Sequence, residues 1–383
     1  VWDTITGKEI LTLFGNGGAV WRIAFSPDGN LLASAAEDKA ARVWDISPSG
    51  SRELLTIPGN NFWNLAFSPD EKRIVSSGLE SGTVQVWDSE TGKELLTLVG
   101  HQNGVWRAVY SPDGKQIATA SIDNTARVWD AVTGQELFTL MGGGEHAVNN
   151  DFIRGMMDIA FSPDGKRLAT AEADGVAKVW DASTGKELLK FSGGSAGLTR
   201  VLFSPDGTLI ATASDDDGNG TVRIWDANTS KQLHVLPGLT ARIWGIAFSP
   251  DGKYLATGGW SGVLKVWNVA TGEEFLDLHG YNSTVGSVTY SADGKWLASA
   301  GGEGIKIWDS ATGEELLALP GGSTLALFNR AGTRLFTSSD NGVQLYALRI
   351  EDLIKLAKSR LTRALTTEEC QKYLHMDACP ALP

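Results

Sequence analysis

The pair Trp-Asp, or a close variant, returns along almost the whole chain, and its spacing leaves few folds open. It stands at Trp2-Asp3, Trp44-Asp45, Trp87-Asp88, Trp129-Asp130, Trp180-Asp181, Trp225-Asp226, Trp267-Asn268 and Trp308-Asp309, with a degenerate copy at Tyr346-Ala347. Successive copies lie 38 to 51 residues apart. A period of this length means one small supersecondary unit repeated many times. No single copy can bury its own apolar faces, so the copies must pack against one another.

Each period has the same internal order. An apolar run such as Val20-Trp21-Arg22-Ile23-Ala24-Phe25 leads into the turn Ser26-Pro27-Asp28-Gly29. A second strand follows from Leu31 to Ala35, then an acidic or Gly turn, then a third strand ending Val43-Trp44-Asp45. A fourth strand closes the unit, as at Leu95 to Leu98 after Thr91-Gly92-Lys93-Glu94. The turn has a mechanism: Pro presets φ, Asp bonds its own backbone, and Gly accepts positive φ. Its Ser-Pro-Asp start recurs at Ser68, Ser111, Ser162, Ser204 and Ser249, with variants at Ser291 and Asn329, which makes eight sets of strands. Short Val/Ile/Leu/Ala-rich strands in units of four predict an all-β propeller.

From residue 1 to about 347 the chain resembles the WD-repeat β-propeller family. The resemblance implies a rigid ring that docks partners at the rim of its central channel. It also implies a buried network of His, hydroxyl, Trp and Asp bracing a blade. Only Gly100-His101 precedes a full partner set, with Asp123, Trp129 and either Thr119 or Ser121. Elsewhere Asn16, Asn60, Gly193 and Tyr281 occupy the His position, so the network is expected to be missing from most blades. A buried Asp without its partner is costly, and Asp38 and Asp174 are therefore expected to face solvent or bond backbone amides. His101 reads as structural.

Eight strand sets need eight outer strands, but the last set stops at Tyr346. An N-terminal strand must then close the ring. Lys8 to Leu13 would give eight four-stranded blades and leave Val1 to Asp3 redundant. Alternatively, Arg52 to Ile57 closes seven blades and orphans one repeat. The eight-bladed reading leaves no repeat exposed.

Beyond the propeller (1–347), a tail (348–383) is expected to be helical. Ile350, Leu353, Ile354, Ala357 and Leu361 follow helical spacing, and Thr366-Thr367-Glu368-Glu369 is a capping box. The tail resembles the C-terminal ends of bacterial multidomain signalling proteins, in the runs Lys358 to Arg363 and Glu369 to His375. That resemblance implies a cytoplasmic sensor or scaffold module. Val1 falls inside a third-strand pattern, so the chain is expected to continue upstream into an effector.

The net charge of −12 argues against attraction to phosphate backbones, hence against nucleic acid as a partner. No apolar run approaches the roughly 18 residues of a membrane helix. The five His are scattered without metal spacing, and no phosphate loop or nucleophile elbow is present. The acids of the Thr-Gly-Glu-Glu turns read as surface turns. No enzyme and no cofactor are expected.

Candidate binding residues come from one repeat position, four before the aromatic that ends each first strand. There the chain reads Trp21, Trp63, Trp106, Met157, Thr199, Trp244, Gly286 and Thr324, followed by Arg22, Arg107 and Arg200 in three sets and by Asn64 and Asp158 in two more. Trp, Arg and Met are the residue types that anchor protein interfaces. Packing between blades is the competing reading for the tryptophans. Trp260, in a turn, lacks such a packing reason. The expected rim is thus Trp21, Arg22, Trp63, Trp106, Arg107, Met157, Arg200, Trp244 and Trp260, for a protein partner or an upstream domain of the same polypeptide.

Two interruptions add alternatives. The longest period holds Met141 to Arg154, either a binding loop or simple drift. Asp215, Asp217, Asn219, Gly220 and Asp226 fit positions 1, 3, 5, 6 and 12 of a calcium loop. A strand at 221–225 would carry Asp226 out of reach, and a solvated acidic turn is the simpler expectation. Sensing of a small ligand or metal ion, through the channel or the Asp215 loop, is the second functional reading.

Overall fold

The computed structural model describes residues 2–3, 8–9, 12–13, 20–46, 52–58, 62–79, 82–143, 155–192, 197–216, 219–236, 242–320, 323–328, 334–339 and 342–347. These residues form strands and turns, with no helix among them. The expected tail at 348–383 lies outside them. Seven antiparallel four-stranded sheets follow in chain order, the first made by Val20–Phe25, Leu31–Ala36, Ala40–Asp45 and Arg52–Pro58. An eighth sheet holds Ser323–Phe328, Arg334–Ser339 and Gly342–Ala347 together with N-terminal strands. The first strands lie side by side around the axis, and Ser323–Phe328 meets both Val285–Tyr290 and Val20–Phe25, so the circle closes. The protein is an all-β propeller with seven four-stranded blades and this closing sheet.

Thr12–Leu13 pairs antiparallel with Gln344 and Val343, within the segment expected to close the last sheet. Arg52–Pro58 pairs with Ala40–Asp45, as the outer strand of the first blade. Trp2–Asp3 is not redundant: Trp2 pairs in parallel with Tyr346, and Lys8–Glu9 pairs back onto Trp2–Asp3.

The turns form for the reasons their residues dictate. Ser111 Oγ bonds Asp113 Oδ1 at 2.7 Å and accepts the Gln116 N–H at 2.9 Å, while Gly114 sits at φ 73°. From Asp88 to Asp309 the residue after the Trp caps the next turn: Asp130 Oδ1, for instance, accepts the N–H groups of Val132 and Thr133 at 3.0 and 2.7 Å. The Trp packs between blades. Trp129, only 2% exposed, joins Ile117 and Ala131 of its own blade to Val75, Val86 and Leu98 of the preceding one. Truncating such a Trp costs about 3–5 kcal/mol.

The His network forms as the resemblance implied. His101 Nδ1 lies 2.9 Å from Asp123 Oδ2, His101 Nε2 lies 2.7 Å from Thr119 Oγ1, and Trp129 Nε1 donates to the same hydroxyl at 3.0 Å. Thr119 takes the hydroxyl role, while Ser121 donates to the carbonyls of Asn103 and Gly104.

The other blades are braced in a different way. Their Trp indoles still donate to a second-strand hydroxyl, as Trp44 to Ser34, Trp180 to Thr170 and Trp267 to Thr257. Tyr281 fills the His place outright, its hydroxyl 2.9 Å from Ser299 Oγ. A cation two residues before the Trp lies over its ring: Lys178 over Trp180, Lys265 over Trp267 and Lys306 over Trp308, at 5.3, 5.8 and 5.7 Å. Lys265 and Lys306 pair with Glu274 and Glu315 at 2.5 and 2.6 Å, so those turn acids have a structural partner beyond the surface role expected of them. Asp38 accepts the Ala40 N–H and pairs with Arg42 at 2.7 Å, and Asp174 accepts the Val176 N–H. Each bonds a backbone amide, as expected.

Candidate functional site at the channel mouth

Antiparallel order places three features at one end of the ring: the starts of the first strands, the hairpins between second and third strands, and the links between blades. The Ser-Pro-Asp-Gly turns lie at the other end. The candidate rim residues therefore share a face, and a feature invisible to strand patterning shapes them. Each of the seven four-stranded blades carries an irregularity at the rim position, where Trp106, for instance, falls between Val105 paired to Ser121 and Arg107 paired to Ala120. The same break skips Trp21, Trp63, Met157, Thr199, Trp244 and Gly286. A bulge bends the strand and re-aims its side chain, which is why bulges recur beside binding sites.

The bulged residues meet across blades. The Trp63 and Trp106 rings are 5.8 Å apart, edge to face, and Trp106 packs on Met157 and Ala173. Met157 is 3% exposed, so it backs Trp106 rather than meeting solvent, a correction to its place on the rim. Trp260 is 50% exposed. The backbone of Trp21 belongs to the first strand, while its side chain lies outside the described residues.

The residue after each bulge forms a second layer at one register level: Arg22, Asn64, Arg107, Asp158, Arg200, Gly245 and Ser287. Arg107 Nη1 pairs with Asp158 Oδ1 at 3.0 Å. Arg200 donates to the carbonyls of Trp244 and Thr199 at 3.1 and 3.0 Å and lies 5.1 Å from the Trp244 ring centre. Burial lowers the Arg22 guanidinium to about 9, repulsion from Arg200 and Arg107 adds to that, and Asp158 pulls the other way. Burial likewise lowers Arg200, against the pull of Asp158 and with the help of Arg107. Arg22 remains cationic at neutral pH.

Arg242 was not visible as a rim residue in the sequence. It lies 5.8 Å from the ring centre of Trp244 and 5.0 Å from that of Trp260, and its Nε donates to Asp215 Oδ2 at 2.7 Å. Arg200, Trp244, Arg242 and Trp260 thus form an alternating ladder of cations and aromatic rings. Its only sequence signal was Arg242 two residues before a rim Trp.

The described residues of the acidic turn do not take up a calcium-loop arrangement, and Asp217 lies outside them. Asp215 pairs opposite Gly220 and Asp216 opposite Asn219 in one continuous hairpin, which carries Asp226 to the far end of its strand. There Asp226 caps the turn at Asn228 and Thr229, and Asp215 is committed to Arg242. Among the described residues no three His, Cys, Asp or Glu gather to hold a metal. Of the long 141–154 run, Gly143 donates its N–H to the buried Glu172 at 2.7 Å, and Lys178 Nζ reaches both Glu172 and the Met141 carbonyl. Residues 144–154 lie outside the described set. From the opposite end, between Pro69, Pro112, Pro163 and Pro205, a cavity of about 870 Å³ reaches as far as Arg107 of the second layer, with a lining of mainly apolar side chains.

Seven stretches, residues 7–45, 51–88, 92–130, 146–181, 185–226, 230–268 and 272–309, match the family described as WD domain, G-beta repeat. Similar curated proteins include the periodic tryptophan protein 2 homolog of Schizosaccharomyces pombe, 42% identical over 81 residues, which are 21% of this chain and 9% of that protein. WD repeat and SOCS box-containing protein 1 of Homo sapiens is 40% identical over 81 residues, 20% of this chain and 19% of that protein. The matches span under a fifth of these relatives' length. The crystal structure of the computationally designed Ika8 protein superposes with a TM-score of 0.76 at 27% identity, covering 88% of this chain and 99% of that one.

Proposed function

Because the chain belongs to the WD40 family, we propose that it is a non-catalytic platform on which a protein segment docks at the Trp/Arg end of the channel. Propellers of this family serve generally as protein-interaction scaffolds. One observation carries the choice of face: Trp63, Trp106, Trp244 and Trp260 stand with Arg107, Arg200 and Arg242 at one end, with Trp260 half exposed. Such anchors concentrate interface energy. The partner is a separate protein or another domain of the same polypeptide. The two natural proteins named above are eukaryotic and lend no support to the bacterial signalling context that the tail suggests.

We also read the closing sheet as an eighth blade with Thr12–Leu13 as its outer strand, which the Leu13 to Val343 pairing supports. On this reading the propeller is 1–347 and the tail 348–383. The docking face is tested by affinity capture with the wild type, with a Trp260→Ala, Arg107→Ala double variant, and with Val132→Ala, an exposed control at the opposite end. Loss of a partner from the double variant alone, with folding intact, supports the platform. Equal capture by all three refutes that face.

A further inference from the structure

We propose that the channel mouth is an anion site, and that its occupant is the side-chain carboxylate of an Asp or Glu carried by the docked protein segment. The inference rests on the docking reading above and adds the partner's chemistry.

The argument begins with charge at one register level. Arg22, Arg107 and Arg200 occupy equivalent positions on three first strands, and Asp158 is the sole acid at that level among the described residues. Asp158 is already paired with Arg107 and also accepts the N–H groups of Ile159 and Val201. Next to this layer, the charge of Arg242 is matched by Asp215. Four guanidiniums therefore share two carboxylates. Burial lowers Arg22 most, and repulsion from Arg200 and Arg107 adds to it, so these cations stand close enough to sense one another.

A second observation concerns hydrogen bonds. Among the described residues, three buried N–H groups at the mouth have no acceptor: Arg107 Nε, Arg242 Nη1 and Trp244 Nε1. All three are donors, and Arg242 is 7% exposed. A buried donor without a partner costs about 1–3 kcal/mol, so the site is organised for an acceptor. A carboxylate suits guanidinium donors because both groups are planar and can bond in pairs.

The overall charge selects the carrier. A net charge of −12 repels nucleic acid and anionic membrane at long range, whereas one carboxylate among apolar side chains meets that field weakly. The neighbouring Trp63, Trp106 and Trp260 offer rings for flanking apolar residues.

The test is selection of a random heptapeptide library on the folded protein at low salt, with inorganic phosphate as a separate probe. Enriched peptides should share one Asp or Glu beside apolar residues, and exchanging that acid for Asn or Gln should weaken binding at least tenfold. Selection on Arg22→Gln, and independently on Arg200→Gln, should lose the acidic preference. If one variant misfolds, the other decides. In the absence of peptide, Arg22→Gln should melt higher than wild type at low salt, because it relieves repulsion. Enrichment without acids, no enrichment, or binding of phosphate alone would overturn the proposal. Should acid-free peptides be enriched and yet lost on Trp260→Ala, the docking face stands and only the carboxylate assignment falls. Should peptides ignore the Trp260 substitution as well, the docking face falls with it.

Discussion

The Arg107 guanidinium lies 3.0 Å from the buried Asp158 carboxylate across a blade boundary. The other oxygen of that carboxylate accepts the Val201 N–H of the next blade at 3.1 Å. One side chain thus ties three neighbouring blades together at the mouth of the channel. Removing one partner of a buried pair costs about 3–5 kcal/mol, but Arg107 is 39% exposed and can rehydrate. Asp158→Ala should therefore cost about 2 kcal/mol in urea unfolding, with part of the loss recovered at high salt as repulsion among the arginines is screened. A loss below about 0.5 kcal/mol would mean that the pair is ornamental.

Asp123 offers a pH test of the His network. Burial pushes its carboxyl up, but hydrogen bonds from His101, Thr125 and the Gln102 N–H outweigh that and hold it well below the usual carboxylate range. A folded pKa below the unfolded value of about 4 stabilises at higher pH, and that contribution fades as pH falls through the folded value. Asp123→Asn should cost about 1–3 kcal/mol at pH 7. Its deficit relative to wild type should narrow as pH falls below about 4. Denaturation curves at pH 7, 4 and 2.5 check this, and a constant gap would remove the charge from the explanation.

Ser230 occupies a turn position with φ 58°, where the equivalent residues Gly92, Gly134, Gly185, Gly272 and Gly313 sit between 69° and 73°. Left-handed backbone costs a non-glycine residue about 1 kcal/mol. The Ser230 hydroxyl reaches the adjacent Thr229 carbonyl, a local bond with little to lose. Ser230→Gly should raise stability by about 1 kcal/mol, read as a higher melting temperature. Gly185→Ala should do the reverse, because its Cβ would stand 2.7 Å from the Phe138 ring.

What could be read from the sequence was whatever the repeat encodes locally. The Ser111 turn, the Asp130 cap and the Trp129 core position depend on residues a few places apart, so the period announces them. The bulge at Trp106 depends on how two strands register, and no strand pattern contains it. Arg242 pairs with Asp215 and stacks on Trp244 and Trp260 through contacts between blades and hairpins, which residue spacing does not encode. The repeat placed Tyr281 at the His position but hid its bracing role there, for another reason. A phenol and an imidazole share little as letters, yet each carries a polar atom to the equivalent second-strand hydroxyl of its blade, Ser299 for Tyr281 and Thr119 for His101.

Closure at the N-terminus yields the sharpest stability test. Gly342–Ala347 is the last strand of the closing sheet, and its outer edge is met by Thr12–Leu13 and by Trp2. Deleting residues 1–9 removes the parallel Trp2 to Tyr346 pair but keeps Thr12–Leu13. Deleting residues 1–14 removes both and leaves the edge bare, with unpaired backbone groups and a template for edge-to-edge association. Ring closure holds the first blade against the last, so the larger deletion should loosen both. It should lower the melting temperature well below that of the smaller deletion and promote concentration-dependent oligomers in sedimentation. Equal melting temperatures for the two truncations would show that Thr12–Leu13 does not hold the ring shut, and that the packing of Val20–Phe25 against Ser323–Phe328 closes it unaided.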